Sequence, residues 1–107
     1  MITTERITHA GPLWRWTTPA TSAAWHFITI DGAAGEALSG TAVMRRLEGN
    51  SRGFGSIKVV AAIGATTFKT SVFPSSEQQG WLLPVKASVR QAEGLGEGDV
   101  ARVTLDF

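Results

Sequence analysis

The run GSIKVVAAIGATTFKTSVFP, from Gly55 to Pro74, alternates apolar and polar residues on both sides of a short turn at Gly64-Ala65. Successive side chains of a strand point to opposite faces, so this pattern predicts a β-hairpin with one buried face. Ile57, Val59, Ala61 and Ile63 share that face on the first arm. On the second, Phe68, Thr70 and Val72 form one face, and Lys69, Ser71 and Phe73 the other. Pro74 and the polar SSEQQG end the hairpin. A lone hairpin is marginal in water, so the remaining segments must cover its apolar face.

Those segments are short and alternate in kind. Ile2 to Thr8 reads as a strand, and Gly11-Pro12 as a turn or bulge. Trp14 and Trp16 share a face if their segment is extended. TTPATSAA is polar and turn-rich. Ala24 to Ile30 reads as a strand, with Trp25, Phe27 and Thr29 on one side and His26, Ile28 and Ile30 on the other. Both sides are largely apolar, which predicts cover on both faces. Asp31 is placed to cap a helix by accepting backbone N–H bonds. Ala34, Ala37, Leu38 and Ala42 make its apolar stripe. Gly35 and Gly40 each weaken it by about 1 kcal/mol relative to alanine. The expected helix is short, to about Ser39, with a looser or separate helical stretch from Thr41 to Leu47. GWLLPV is a strand cut at Pro84. VKASVRQAEGL is a helix of two or three turns with Val85, Val89 and Ala92 at helical spacing. Gly94 is its C-cap and Leu95 the accompanying apolar contact. A turn at Gly98-Asp99 then leads to a last strand with Ala101, Val103 and Leu105 inward. The order is β-β-α-β-β-β-α-β: mainly β, two short helices, one domain over residues 1–107.

With 107 residues, such a chain buries roughly 65% of its unfolded surface, enough for one core. It contains no cysteine, which excludes disulfides and thiolate metal sites and fits a reducing cytoplasm. MITTERITHAGPLWRW lacks the basic and apolar regions of a signal peptide, and no window is long and apolar enough to span a bilayer. A net charge of +1 does not by itself imply nucleic acid or an anionic membrane.

Three resemblances bear on function. RGFGSIKV, Arg52 to Val59, resembles the RNA-recognition signature. However, Ser56 stands where the second stacking aromatic belongs, Val59 replaces the last one, and the run opens the wrong strand of that fold. It reads instead as the loop and strand entry of the hairpin. LPVKASVRQAEGLGEGDVARVTL, Leu83 to Leu105, resembles the strand-helix-turn-strand pattern of AbrB-type swapped-hairpin regulators, each chain of which supplies half a barrel. Here FITIDGAAGEALSG and FGSIKVVAAI look like a second, diverged copy. The implied fold is a small double-split β-barrel with an internal pseudo-twofold. Finally, WHFITI, RGFGSIKVVAAIGATTFKTSVFP and GWLLPVKASVRQAEGLGEGDVARVTL together are similar to the bacterial domain-of-unknown-function 1905 family. That resemblance implies a split β-barrel and no particular reaction.

No catalytic constellation emerges from the residues. His9 and His26 are not at metal-ligand spacing, and His26, between apolar neighbours, reads as structural. Ser56 has no evident base. Glu93, Glu97 and Asp99 cluster in a turn, where Asp99 is expected to accept backbone N–H bonds. Neither a cofactor nor a metal is expected. Trp14, Trp16, Trp25 and Trp81 read first as core and barrel-end fillers, with a ligand-binding aromatic wall as the rival reading. The cations give the other hint. Lys86 and Arg90 lie one helical turn apart on one face, and Lys86 sits where the helix dipole disfavours a cation. Lys69 is on the hairpin, and Arg45, Arg46 and Arg52 form a looser patch. The expectation is a cytoplasmic, monomeric, non-enzymatic binding module for a small anionic ligand or a protein partner. Lys69, Lys86, Arg90 and Arg52 are its candidate contacts. DNA binding in the manner of the swapped-hairpin regulators, and an enzyme of unknown type, are the alternatives.

Overall fold

In the computed structural model, residues 5–49 and 55–107 are described, with the backbone alone for residues 21–23. Six strands and two helices follow in the expected order: β1 (Arg6–Thr18), β2 (Thr21–Ile30), α1 (Gly32–Leu47), β3 (Ile57–Ile63), β4 (Thr66–Ser75), β5 (Gly80–Pro84), α2 (Ala87–Glu93) and β6 (Val100–Asp106). The strands close into an antiparallel barrel in the order β1-β2-β5-β4-β3-β6.

The hairpin is built as the alternation demands. Val59 pairs with Thr70 and Ala61 with Phe68 across β3 and β4. Ile57, Val59, Ala61, Ile63, Phe68 and Val72 are buried. Gly64 takes the left-handed conformation that the turn requires. The other strands complete the core with Leu13, Ile28, Ile30, Leu83, Val103 and Leu105. Each such side chain contributes about 1.5–3 kcal/mol when fully buried.

The strand order is unchanged when β1-β2-α1-β3 is exchanged with β4-β5-α2-β6, so the topology carries the expected twofold. Its centre lies between β2 and β5, near the Ile28–Leu83 pair.

Several local expectations are corrected. Gly11-Pro12 does not break the first strand. β1 runs through it, pairing with β6 from Arg6 to Pro12 and with β2 from Leu13 onward. The dipeptide is therefore the corner where one strand passes between two sheets, where the N–H that Pro12 lacks is least missed. The expected start at Ile2 lies outside the described residues. The TTPATSAA turn shrinks to Pro19-Ala20, and β4 continues through Pro74, which pairs opposite Trp81.

α1 runs on past Ser39 as one continuous helix to Leu47. Gly35 sits where an added Cβ would lie 2.8 Å from the Ile30 carbonyl oxygen, so the glycine permits close packing. Ala34 and Leu38 are buried on the barrel, with Ala42 packed alongside. This packing outweighs the propensity cost. At Gly40, by contrast, an added Cβ would meet nothing within 4 Å. Gly40→Ala should therefore stabilise the protein by about 0.5–1 kcal/mol, read as a higher urea midpoint at constant slope. Asp31 is the N-cap residue but makes no side-chain cap bond. Its carboxylate lies 3.5 Å from His9 Nε2 instead.

α2 closes as expected. Gly94 is left-handed, and the N–H groups of Gly94 and Leu95 donate to the carbonyls of Gln91 and Arg90. Ala92, expected on the apolar stripe, is exposed, because α2 seats on Val89. Asp99 Oδ2 accepts the Gly96 N–H at 2.8 Å.

Candidate functional site

β5 is short because its last residue is Pro84, which has no N–H to continue a ladder. It bridges β2 only over Phe27–Ile30 and β4 only over Phe73–Ser75. Beyond Pro84, β2 and β4 run on without a strand between them. One backbone bond, Val85 N–H to the His26 carbonyl at 2.9 Å, ties the chain to β2 before α2 begins. α2 then leans on β4. The space left is a cleft of ≈ 770 Å³ bordered by Trp25, His26, Lys69, Phe73, Lys86 and Arg90, among others. That volume lies within the range of small-ligand sites.

Three of the four cations singled out from the sequence therefore meet at one place. Arg52 lies outside the described residues. Lys86 is the N-cap residue of α2 and Arg90 lies one turn along the same face. Lys69 comes from the outward face of β4. Arg90 Nε donates to the Val85 carbonyl at 3.2 Å, which fixes the stem. Among the described residues none of the three forms an ion pair, and none that lines the cleft is a carboxylate.

The tryptophans divide between the two readings. Trp81 is buried and Trp14 half-buried, and their indole N–H groups donate to Ser39 and Thr29. Those two are fillers, as expected. Trp16 and Trp25 are not: they are 44% and 53% exposed. Trp25 stacks on Phe27 with the rings nearly parallel and their centroids 6.1 Å apart. It forms an aromatic wall beside the cations, with Phe73 opposite at 43% exposure. The outer face of β2 is thus partly covered by Trp14 and partly open.

His26 is the feature whose role the sequence did not show. Its Nδ1 is buried and has no hydrogen-bond partner among the described residues. Burial lowers its pKa first, then the nearby Arg90 and Arg15 charges, with Glu97 opposing them. A proton on Nδ1 would leave a buried donor unpaired.

The internal twofold relates this gap to its counterpart in the other half. Centred on the Ile28–Leu83 pair, it carries the N-cap residue Asp31 onto the N-cap residue Lys86. Gly80 then corresponds to Trp25, Trp81 to His26, Gly35 to Arg90 and Ser39 to Gly94. In the first half, the two glycines let α1 and β5 approach the Ile30 carbonyl and Trp81 is held by Ser39, and Gly32, Gly35, Ser39, Gly80 and Trp81 border a smaller hollow of ≈ 480 Å³. In the second half each of these is reversed. Large groups replace the glycines, the smaller His26 replaces Trp81, and Gly94 replaces Ser39. Even the charge inverts, from the Asp31–His9 pair to Lys86, unpaired among the described residues.

The lowered pKa of His26 has a measurable consequence. In the unfolded chain it binds a proton near the ordinary value of about 6.5, above its folded value. Stability linked to this residue is therefore complete above about pH 6.5 and declines as pH falls through the folded pKa. A series of urea midpoints from pH 7.5 to 5 should show that decline, and His26→Gln should flatten it.

A small closed barrel split by one lateral, cation-lined cleft is the class that fold and site define. The chain belongs to the family described as a domain of unknown function (DUF1905), which matches residues 10–105. No curated protein matches it. Among the described residues no helix is long and apolar enough to cross a membrane, and no three His, Asp or Glu side chains gather as a metal site.

Proposed function

We propose that this protein is a monomeric binding module, and that the cleft between β2, β4 and α2 receives a small anionic ligand with a flat or apolar body. One observation supports this above the rest. Among the described residues, Lys69, Lys86 and Arg90 converge, unpaired, on a hollow without a carboxylate. Unpaired cations held close repel one another, and an anion between them relieves that repulsion. Trp25 and Phe73 supply apolar contact for the rest of the ligand, and the imidazole of His26 adds a polar group that burial favours in its neutral form.

Titration with phenylacetate, followed by amide chemical shifts, tests the reading. Saturable shifts are expected at Trp25, His26, Lys69, Lys86 and Arg90, and affinity should fall by about tenfold (~1.4 kcal/mol) for Lys86→Ala. Absence of saturable shifts in this set at low salt would overturn it. The same cations would serve a DNA-binding reading, so duplex DNA is the natural comparison. Site-specific anion binding weakens modestly with salt. Duplex binding through several phosphates falls by orders of magnitude.

A further inference from the structure

The walls of the cleft are strand edges, not strand faces. Phe68, Lys69, Thr70 and Ser71 of β4 line it consecutively, as do Ala24, Trp25 and His26 of β2. Side chains alternate between the two faces of a sheet. Consecutive residues border one hollow only where it runs along the strand's edge. Among the described residues neither edge has a strand partner here, since β5 ends at Pro84. Two strands that flank a third are roughly 10 Å apart, so the opening at Pro84 has the width of one missing strand.

An open edge presents a row of backbone N–H and C=O groups with no partner in the ladder. Water can satisfy them, but a ligand carrying amides at strand spacing satisfies them in register. The two edges are not equivalent. The His26 carbonyl on β2 is already taken by the Val85 N–H. β4 over Phe68–Ser71 is the freer one. It is also the edge that carries Lys69, and it faces Lys86 and Arg90 across the cleft.

We propose that the ligand of this cleft is a short extended peptide bearing carboxylates, which adds as a strand along Phe68–Ser71 of β4. This rests on the anion-binding reading and specifies the body of the ligand. At about 3.4 Å per residue the edge spans about 14 Å, room for three or four peptide residues. Main-chain bonds to β4 set its direction and register. Its acidic side chains and terminal carboxylate meet Lys69, Lys86 and Arg90. Apolar side chains on the alternate positions lie against Trp25 and Phe73. A net acidic, short and linear peptide is what fits. A basic or a bulky folded partner is not.

The test compares three probes on the intact protein by isothermal titration and amide hydrogen exchange. They are the peptide acetyl-Asp-Val-Asp-Leu with a free carboxylate, the same peptide N-methylated at alternate amides, and phenylacetate. The unmodified peptide should bind at least tenfold more tightly than phenylacetate and slow exchange within Phe68–Ser71. Methylation that faces the β4 edge should cost at least tenfold while charge and side chains stay the same. If phenylacetate binds and the peptide binds no better, or if N-methylation in either register changes nothing, strand addition is wrong and the anion site stands. If no probe binds at low salt, both readings fall.

Discussion

Gly80→Ala is expected to destabilise the barrel by about 3 kcal/mol, the upper part of the usual range for overpacking. An added Cβ would stand 2.5 Å from the Ile30 carbonyl oxygen, 3.1 Å from its carbonyl carbon and 3.2 Å from Asp31 Cβ. Two of these three atoms are backbone, so no side-chain rotation relieves the clash. Either the end of β2 and the start of α1 move together, or β5 shifts against β2. Both routes loosen Trp81, whose indole N–H is held by Ser39 of α1. For a domain of this size the loss corresponds to a midpoint roughly 12 °C lower at least. Urea unfolding measures it directly. A variant within about 0.5 kcal/mol of the parent, the usual effect of a neutral substitution, would mean that β5 does not approach the Ile30–Asp31 corner this closely. Trp25, which occupies the corresponding place in the other half, is half exposed and borders open space. Trp25→Ala should cost far less stability. The two substitutions thus separate a position packed against backbone in one half from a position that borders open space in the other.

The barrel could be read from the chain because its signals were local and repeated. The alternation through Ile57–Ile63 and Thr66–Val72 survives unchanged in the paired register. Gly94-Leu95 ends α2 with the backbone bonds that its left-handed glycine permits. Misreadings fell where a residue's usual preference met a particular neighbour. Gly11-Pro12 looks like a break, but a strand changing sheets can use both residues. Gly35 looks like a weak point in α1, but the Ile30 carbonyl needs its missing side chain. Asp31 looks like a cap, but His9 from β1 lies nearby and its identity as neighbour is a matter of tertiary structure.

The site was legible only in pieces. Lys86 and Arg90 could be placed on one helix face by spacing alone. Lys69 could not be joined to them without knowing that β5 stops short and leaves β4 beside α2. His26 gave no signal beyond a polar residue among apolar ones. Its meaning comes from comparison with Trp81 and Ser39, and that comparison needs the register of β2 against β5. A pseudo-repeat recognised at the level of strand, helix, strand was the one sequence clue able to lead there. It pairs the N-cap residues Asp31 and Lys86 and so exposes the change of charge.

Arg90→Glu is expected to abolish binding of an anion in the cleft, by a hundredfold or more, while the protein stays folded. The residue has two separable duties. Its Nε donates to the Val85 carbonyl, a bond worth about 1 kcal/mol net, and its charge contributes to the potential of the cleft. Glutamate removes both and adds a negative charge between Lys69 and Lys86. It would form an internal ion pair with one of them and repel the incoming anion. A hundredfold loss is about 2.7 kcal/mol, within reach of one charge reversal in a partly desolvated hollow. Arg90→Lys keeps the charge and gives up the bond to Val85. It should retain binding within about fivefold and lose only the modest stability of that hydrogen bond. Arg90→Gln removes the charge and keeps some of the packing, so its affinity should lie between the two. Measured together with urea midpoints, the series orders affinity by charge and not by stability. If affinity instead followed stability across the three variants, Arg90 would be a strut of α2 and not a ligand contact. The unpaired charges of the cleft would then have to be explained by solvent alone.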